Sequence, residues 1–222
     1  RLIHDRYRLS TVRATIEVKD RETTIDVTDA DLCGIQMPGR VRMSDGLTHL
    51  AFTPVARASS LKEAGSCLVG YQNSEKLLGT LNLNGNFSTR GRNRQALFAN
   101  LKGAVEFTVE KGRVSNIGSA GGFTNLLSYL SVNQYVQGDL PDPGTDDFSF
   151  KRIESRWVFD NGSMQIEESV LKSNSVNIVA EGQYDPLSKE LDLVALVSPL
   201  TTVDWIVDRI PILGHILQGT LV

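Results

Sequence analysis

Apolar and polar residues alternate with a period of two along most of the chain. Near the beginning, Val12, Ala14, Ile16 and Val18 fall on one side of such a segment, and the residues between them are polar. This alternation is typical of a β-strand that turns one face toward apolar surroundings. The sequence therefore predicts a strand here, with an apolar face and a polar face.

The same alternation returns from residue 81 onward, where six further segments each carry apolar residues at every second position. These positions are Leu81, Leu83, Phe87, Val105, Phe107, Val109, Trp157, Phe159, Met164, Ile166, Val176, Ile178, Leu191 and Leu193. Almost no helical spacing separates the segments, so about ten strands are predicted to follow one another.

Turn-forming residues lie between several of these segments. They occur at residues 44–46, 111–112, 160–162 and 184–186, where Asp, Asn, Gly and Pro are concentrated. Short turns of this composition connect antiparallel neighbours, whereas parallel strands need long crossovers. The pattern predicts a mainly β protein built from antiparallel hairpins.

Helical spacing is confined to three short segments, residues 59–68, 124–130 and 202–210. The first has Ser59 or Ser60 as its candidate N-cap, with Glu63 placed for a capping box. The chain is therefore expected to add a few short helices to a long meander of strands.

Composition excludes several classes of protein. The chain has 222 residues, of which 41% are hydrophobic and 22% charged, with a formal charge of −3. It is long and apolar enough to bury a core, and too rich in alternating apolar residues to be disordered. A nearly neutral charge gives no general attraction to nucleic acid, which is not predicted as a partner. The chain begins at Arg1 with no targeting leader, and we expect it to be a segment of a longer protein.

Residues that carry catalytic chemistry are scarce. His4, His49 and His215 show no metal-ligand spacing, and no Ser, His and Asp trio stands in a recognisable context. The acidic loop at residues 139–147 lacks the pattern of a calcium loop. We predict no enzymatic activity, no metal site and no cofactor.

Two further groups of residues leave alternatives open. Cys33 and Cys67 fit either one disulfide in an oxidising compartment or two buried apolar thiols, and the second interpretation is favoured. Arg90, Arg92 and Arg94 alternate through a Gly-containing segment, where their guanidinium groups are candidates for binding phosphate. A solvated hairpin is the simpler interpretation of the arginines.

From residue 79 onward, a series of short motifs resembles the C-terminal region of the AsmA-like family of bacterial envelope proteins. The motifs are GTLNLNG at 79–85, TRG at 89–91, LKG at 101–103, GRV at 112–114, LLSYLSV at 126–132, NG at 161–162, PL at 199–200, VD at 203–204, IPILG at 210–214 and GTL at 219–221. Residues 1–78 carry no such motif and are predicted to add antiparallel strands that continue the same groove.

The resemblance implies a long, strongly curved antiparallel sheet whose apolar concave face forms an open groove. It also implies that the chain is a periplasmic part of an inner-membrane-anchored protein that moves phospholipid between the inner and outer membranes. Contacts with both membranes would come from parts outside this segment, and other envelope proteins are candidate partners. The alternative function is an envelope scaffold that assists outer-membrane protein assembly without conducting lipid.

On this interpretation, the fourteen alternating apolar residues from Leu81 to Leu193 named above are the candidates for the lipid groove. The three arginines are the candidates for the headgroup phosphate. Candidates for a groove cap or a membrane contact are Val203, Ile206, Val207, Ile210, Ile212 and Leu213. A closed β-sandwich or barrel would show the same alternation, so the pattern alone leaves open whether the sheet is open or shut.

Overall fold

A computed structural model describes residues 2–4, 7–69, 77–115, 148–174, 176–185 and 190–199. The described chain is mainly β, as the sequence predicts. Its strands are β1 (Leu2–His4), β2 (Tyr7–Lys19), β3 (Glu22–Leu32), β4 (Ile35–Gln36), β5 (Gly39–Ser44), β6 (Leu47–Phe52), β7 (Val55–Ser60), β8 (Leu77–Gly91), β9 (Lys102–Val114), β10 (Phe148–Asp160), β11 (Ser163–Ser173), β12 (Val176–Asp185) and β13 (Glu190–Pro199). The helices are α1 (Leu61–Ala64), a π-helical turn (Gly65–Val69) and α2 (Arg94–Ala99).

All thirteen strands belong to one curved antiparallel sheet. Nearly every strand pairs with the strand before it in the sequence, as expected for a chain of hairpins. Among the described residues, β1 and β13 stand at opposite ends of the pairing order and do not pair with each other. The sheet is therefore open. The division after residue 78 that the motifs suggest falls within β8, and strands on both sides of it share the sheet.

Proline explains why there are more strands than the alternation predicts. Pro38 separates β4 from β5, and Pro54 separates β6 from β7. Proline has no N–H to donate to a neighbouring strand, so the ladder breaks at each position. The proline carbonyls still accept hydrogen bonds, from Thr53 N at 2.9 Å and from Gly85 N at 2.9 Å. Each broken pair therefore keeps the course of one longer strand.

Turn chemistry predicts two connections correctly and one wrongly. Asp45 and Gly46 turn β5 into β6, and Asn161 and Gly162 turn β10 into β11, all with positive φ. The turn predicted at residues 111–112 is wrong, because both residues lie inside β9. Lys111 has a φ of 51°, and the pairing of β8 with β9 shifts register opposite it. These residues form a β-bulge, which has the same preference for left-handed backbone as a turn.

The first predicted helix is present in a shorter form. It begins after Ser60, whose hydroxyl accepts a hydrogen bond from Glu63 N at 3.4 Å, and it continues as the π-helical turn. Helix α2 was not predicted, because the segment around Arg94 reads as a loop. Asn93 caps α2 by accepting a hydrogen bond from Ala96 N at 2.8 Å. The helices predicted at residues 124–130 and 202–210 lie outside the described residues.

The core lies on one face of the sheet, where its buried residues come from six strands between β4 and β12 and from helix α1. Its buried members are Ile35, Ala56, Ala64, Leu81, Val109, Phe148, Phe150, Val176 and Ile178. Large side chains buried beyond 98% of their surface are absent from the described residues. A single curved sheet gives a shallower core than two stacked sheets would.

Candidate functional site

The strand registers align apolar residues into rows that cross the sheet. One row crosses six strands from β8 to β13 through Leu81, Val109, Ile153, Leu171, Ile178 and Val197. A second row, at the other end of the same face, runs through Phe87, Gly103, Phe159, Met164, Tyr184 and Leu191. Directly opposed residues on antiparallel strands share a face, so the rows form one apolar surface. We call this surface the apolar face.

All fourteen positions predicted from the alternation lie on the apolar face. Those between the two rows are connected by the pairs Leu83 with Phe107, Val105 with Trp157, and Ile166 with Gly182, which itself pairs with Leu193. The pairing of β10 with β11 and that of β11 with β12 contain β-bulges, in which one strand carries an extra residue. The extra residue shifts the alternation by one position, so the apolar side chains on either side of the bulge stay on the same face of the sheet. The sequence therefore predicts the face without predicting the register.

Accessibility varies along the apolar face. Leu81 and Val109 are only 6% and 4% exposed, and Val105, Val176 and Ile178 are also buried. The remaining candidates keep part of their surface accessible. Half-buried positions are Leu83, Phe87, Phe107, Trp157, Phe159, Met164 and Ile166, and exposed positions are Leu191 and Leu193. A buried row is thus flanked by apolar side chains that another molecule can reach.

Two aromatic pairs pack on the apolar face, one between the two rows and one in the second row. Phe107 and Trp157 meet edge to face with ring centroids 5.0 Å apart, and Phe87 and Phe159 do so at 5.2 Å. Such pairs add about 0.5–1.5 kcal/mol beyond the burial of their surface. The indole Nε1–H of Trp157 is buried and has no hydrogen-bond acceptor among the residues that the structure describes.

An apolar cleft of about 290 Å³ opens beside the second aromatic pair. Its walls include Met37, Phe52, Phe87, Leu101 and Phe159. The volume is close to the lower limit of about 300 Å³ for pockets that hold small ligands. The strands before β8 therefore contribute to the same apolar surface as the strands after it.

The opposite face of the sheet is polar and carries cross-strand ion pairs. Arg156 on β10 binds Glu167 at 2.7 Å and also Glu106, and Arg152 binds Glu110 at 3.3 Å. The pKa of Arg156 is raised by its hydrogen bonds to Glu167 and Glu106, which favour the charged guanidinium. This face is suited to water and not to an acyl chain. We call it the polar face.

Two larger clefts lie mainly against the polar face. The first, of about 680 Å³, is lined by both signs of charge, including Arg57, Glu106, Glu154 and Arg156. The second, of about 610 Å³, is lined by cations, among them Arg40, Arg42 and Lys102. The pKa of Arg40 is raised by its hydrogen bond to Asp26. Sequence reasoning missed these clefts because their charged residues come from distant strands.

The structure separates the three arginines predicted to bind phosphate. Arg90 lines the second cleft of the polar face. Arg92 donates from Nη1 to the carbonyl of Asp45 at 3.0 Å, and Arg94 begins α2 with its guanidinium 5.8 Å from the Phe98 ring centroid. The alternation of these arginines ends at Gly91, where β8 ends, so they do not share one edge.

A disulfide joins the turn after β3 to the π-helical turn before β8. Cys33, after β3, and Cys67, in the π-helical turn, are both buried and bonded, with Cα atoms 5.6 Å apart. The favoured interpretation as two free buried thiols is therefore wrong. Burial was predicted correctly, but the positive φ of Cys33 in a tight turn, which brings the two thiols together, was not. The bond ties the π-helical turn that continues α1 to the turn after β3, and Leu61 of α1 lies close to Gly79 of β8.

Several predicted features lie outside the described residues. These are the cap candidates Val203, Ile206, Val207, Ile210, Ile212 and Leu213, the acidic loop and His215. His49 lies exposed on the polar face. Within the described ranges, no three His, Cys, Asp or Glu residues gather as metal ligands, and no helix has the length and apolarity needed to cross a bilayer.

Comparison with known proteins adds no relative. Family models, curated proteins and solved structures were all compared, and none matches this chain.

Proposed function

We propose that the apolar face shelters the acyl chains of phospholipid, and that the chain is a periplasmic segment of a lipid-transfer protein of the AsmA-like type. The observation that carries the proposal is the continuous apolar surface across β8–β13, much of which remains accessible in a single open sheet. A sealed core would leave no surface for a ligand.

The energetics favour a surface of this kind. Exposing an acyl chain to water costs about 0.8 kcal/mol per methylene, or ~12 kcal/mol for a chain of roughly sixteen carbons. A continuous apolar strip lowers this cost at every position along the path, while the headgroup stays in water. Movement along the strip requires no catalytic residue and is passive unless another part of the protein supplies direction.

The disulfide supports the proposed location. Disulfides persist in oxidising compartments such as the bacterial periplasm and are rare in the cytosol. The bond between Cys33 and Cys67 is buried and holds α1 in place, so its role is structural. A periplasmic segment fits this chemistry.

Lipid content is the direct test. The chain is expressed in bacteria, exported to the periplasm and purified, and bound phospholipid is measured by native mass spectrometry. Leu83→Asp places a charge on the half-buried part of the apolar face and is expected to reduce bound lipid by at least about tenfold. Asn84→Asp is the matched control, because Asn84 is the next residue on the opposite face.

The outcomes separate clearly. Lipid bound to the wild type and to Asn84→Asp, but lost in Leu83→Asp, supports the proposal. Absence of phospholipid from the wild type, or equal loss in both variants, contradicts it. A photocrosslinker at Phe107 should label lipid, and one at Asn84 should not.

A second candidate function is an envelope scaffold that assists outer-membrane protein assembly. The observation in its favour is β13, a terminal strand of the described sheet with exposed apolar residues on both faces, Leu191 on one and Val194 and Leu196 on the other. An open edge of this kind pairs readily with another strand. Capture of a partner strand on β13 by a chain that carries no lipid would favour this function.

A further inference from the structure

The second cleft of the polar face is lined by basic and neutral residues and by no carboxylate. We define the cationic cleft by Arg40, Arg42, His49, Arg90 and Lys102, which line its volume of about 610 Å³ together with neutral residues. The whole chain carries a formal charge of −3, so this local excess of positive groups is not a consequence of composition.

Strand pairing places these basic residues in two neighbouring rows of the sheet. Arg42 on β5 is directly opposite His49 on β6, and His49 is directly opposite Arg90 on β8. In the next row, Ser88 lies between Ala51 and Lys102, and Ala51 pairs with Arg40. Arg42 and Arg90 therefore flank His49 on its two neighbouring strands, and an anion bound between their guanidinium groups is attracted by both.

The internal partners of these cations leave donors available. Arg40 and Arg42 each use Nε, toward Asp26 and Glu22 on β3, and neither acid lines the cleft. Lys102 is bound to Asp160 at 3.1 Å. The guanidinium of Arg90 has no side-chain partner in the part of the chain that the structure describes. Several charged donors are therefore available, and they suit a ligand with more than one acceptor oxygen.

The loop beside Arg90 is fixed by its own hydrogen bonds. The Nδ2 atom of Asn100 donates to the carbonyls of Arg90 at 3.0 Å and of Ala96 at 2.9 Å. Thr89 also donates to the carbonyl of Leu97. These contacts hold the end of β8 against α2, so the backbone that carries Arg90 is positioned before any ligand arrives.

The other large cleft of the polar face provides an internal comparison. It is of similar size, but Glu106, Glu154 and Glu168 line it together with Arg57 and Arg156. A carboxylate wall repels anions, so the two clefts differ in the ligands that they accept. Of these two clefts, the cationic cleft has the chemistry of an oxyanion site.

We propose that the cationic cleft binds a phosphate group. Phosphate offers several charged acceptor oxygens, which match arginine and lysine donors arranged around one space. Its source is either a lipid headgroup or a soluble phosphate compound. The lipid source rests on the proposed function and is favoured by position, because the cationic cleft shares Leu50, Ser88 and Thr89 with the apolar cleft.

Phosphate binding is tested on the full chain with inorganic phosphate. The chain is titrated at constant ionic strength, with chloride as the reference anion, and amide and imidazole NMR shifts are followed. We expect saturable shifts at His49, Arg90 and Asn100. Arg90→Gln should weaken binding by at least about tenfold, since a hydrogen bond to a charged group is lost. Arg57→Gln removes the same charge from the other cleft of the same face and should leave binding unchanged.

Two results would overturn the phosphate site. One is the absence of saturable shifts in the wild type, and the other is an equal loss in Arg90→Gln and Arg57→Gln. Because Arg90 is exposed and its side chain has no internal partner among the described residues, its substitution should not disturb folding. Unchanged denaturation curves for both variants verify this.

The source of the phosphate is distinguished with vesicles. We measure binding to vesicles of phosphatidylglycerol in phosphatidylcholine and, as the reference, to vesicles of phosphatidylcholine alone. If a lipid headgroup occupies the cationic cleft, Arg90→Gln should reduce binding to the phosphatidylglycerol vesicles, and Arg57→Gln should not. If the chain binds inorganic phosphate but the two variants bind vesicles equally well, the site is assigned to a soluble phosphate compound. Failure of the proposed function appears separately, as a wild-type chain that carries no lipid while its phosphate binding persists.

Discussion

Strands β2 and β9 have the same alternating pattern in sequence and very different surroundings in the sheet. On β2, Ile16 is 64% and Val18 is 69% exposed, whereas Val109 on β9 is 4% exposed. Both strands have 13 residues. Strand β9 has long neighbours on both sides, while most of β2 pairs only with β3 among the described residues.

The difference shows that alternation determines which side of a strand is apolar, and neighbours determine whether that side is buried. Ile16 pairs with Ile25 in a row that reaches Thr89, but no described element covers the Ile16 end of that row. Val109 lies between Leu81 and Ile153 and belongs to the core cluster. The apolar face is therefore a core in its middle and an exposed surface near β2.

The largest expected effect is a loss of stability when a charge is placed at Val109, compared with the same change at Ile16. Val109→Asp should destabilise the protein by about 4 kcal/mol or more, because a buried carboxylate without a partner is strongly unfavourable. Ile16→Asp should change the free energy of unfolding by less than about 0.5 kcal/mol. Urea denaturation followed by circular dichroism measures both.

If Val109→Asp does not fold, Val109→Ala keeps the comparison measurable, with an expected loss of about 1–3 kcal/mol. Similar losses at positions 16 and 109 would mean that another part of the protein buries Ile16, and the contrast between the two strands would fail.

The disulfide should have the next largest effect, because it ties the turn after β3 to the π-helical turn before β8. Cys33 and Cys67 are 34 residues apart, and the double variant to serine should lose about 3–4 kcal/mol from the greater entropy of the unfolded chain. The loss is measured as the difference in denaturation midpoint between wild type and variant, with reduced wild type as the second reference. A stability independent of reduction would show that α1 stays in place without the bond.

Small-to-large substitutions should have an intermediate effect in the core and almost none at the edge. A Cβ added at Gly112 would overlap the ring of Phe150, so Gly112→Ala should cost about 1–3 kcal/mol. Ala14→Leu on β2 should be close to neutral, because Ala14 is exposed. Thermal unfolding of the two variants tests this, and a neutral Gly112→Ala would show that Phe150 has room to move.

The smallest effects are expected on the polar face, where the two regions should behave alike. Arg40→Gln near the β2 end and Arg156→Gln in the middle should each lower the melting temperature slightly, and added salt should reduce the difference from wild type. The pKa of each arginine is raised by its acidic partners, so the guanidinium stays charged across the neutral range and loses its charge only in strong alkali. Melting curves across the neutral pH range should therefore show no change that depends on these guanidinium groups.

Much of the candidate site follows from local pattern. The fourteen positions that the alternation identifies all lie on the apolar face, because a side-chain period of two is a property of any strand, while Ile153, Leu171 and Val197 of the same face were missed. The hairpin at Asn161 and Gly162 follows from the preference of these residues for positive φ. Lys111 and Gly112 have the same preference and form a bulge, so local chemistry does not distinguish a turn from a bulge when the strand continues beyond it.

The cationic cleft is not accessible to such reasoning. Arg42, His49 and Arg90 lie on three strands, and their spacing in sequence shows no period. Arg92 and Arg94, which are close to Arg90 in sequence, turn away from it because β8 ends at Gly91 and α2 begins at Arg94. Sequence neighbours beyond a strand end do not share its face.

By itself, the sequence determined that this protein is a meander of antiparallel strands with one apolar and one polar side, because both properties arise from residues close together along the chain. Only the tertiary structure decided which apolar side chains are buried, that Cys33 and Cys67 bond, and that cations from three strands line one cleft. Burial, bonding and clustering depend on distances between residues far apart in sequence, and those distances are fixed by strand register and sheet curvature.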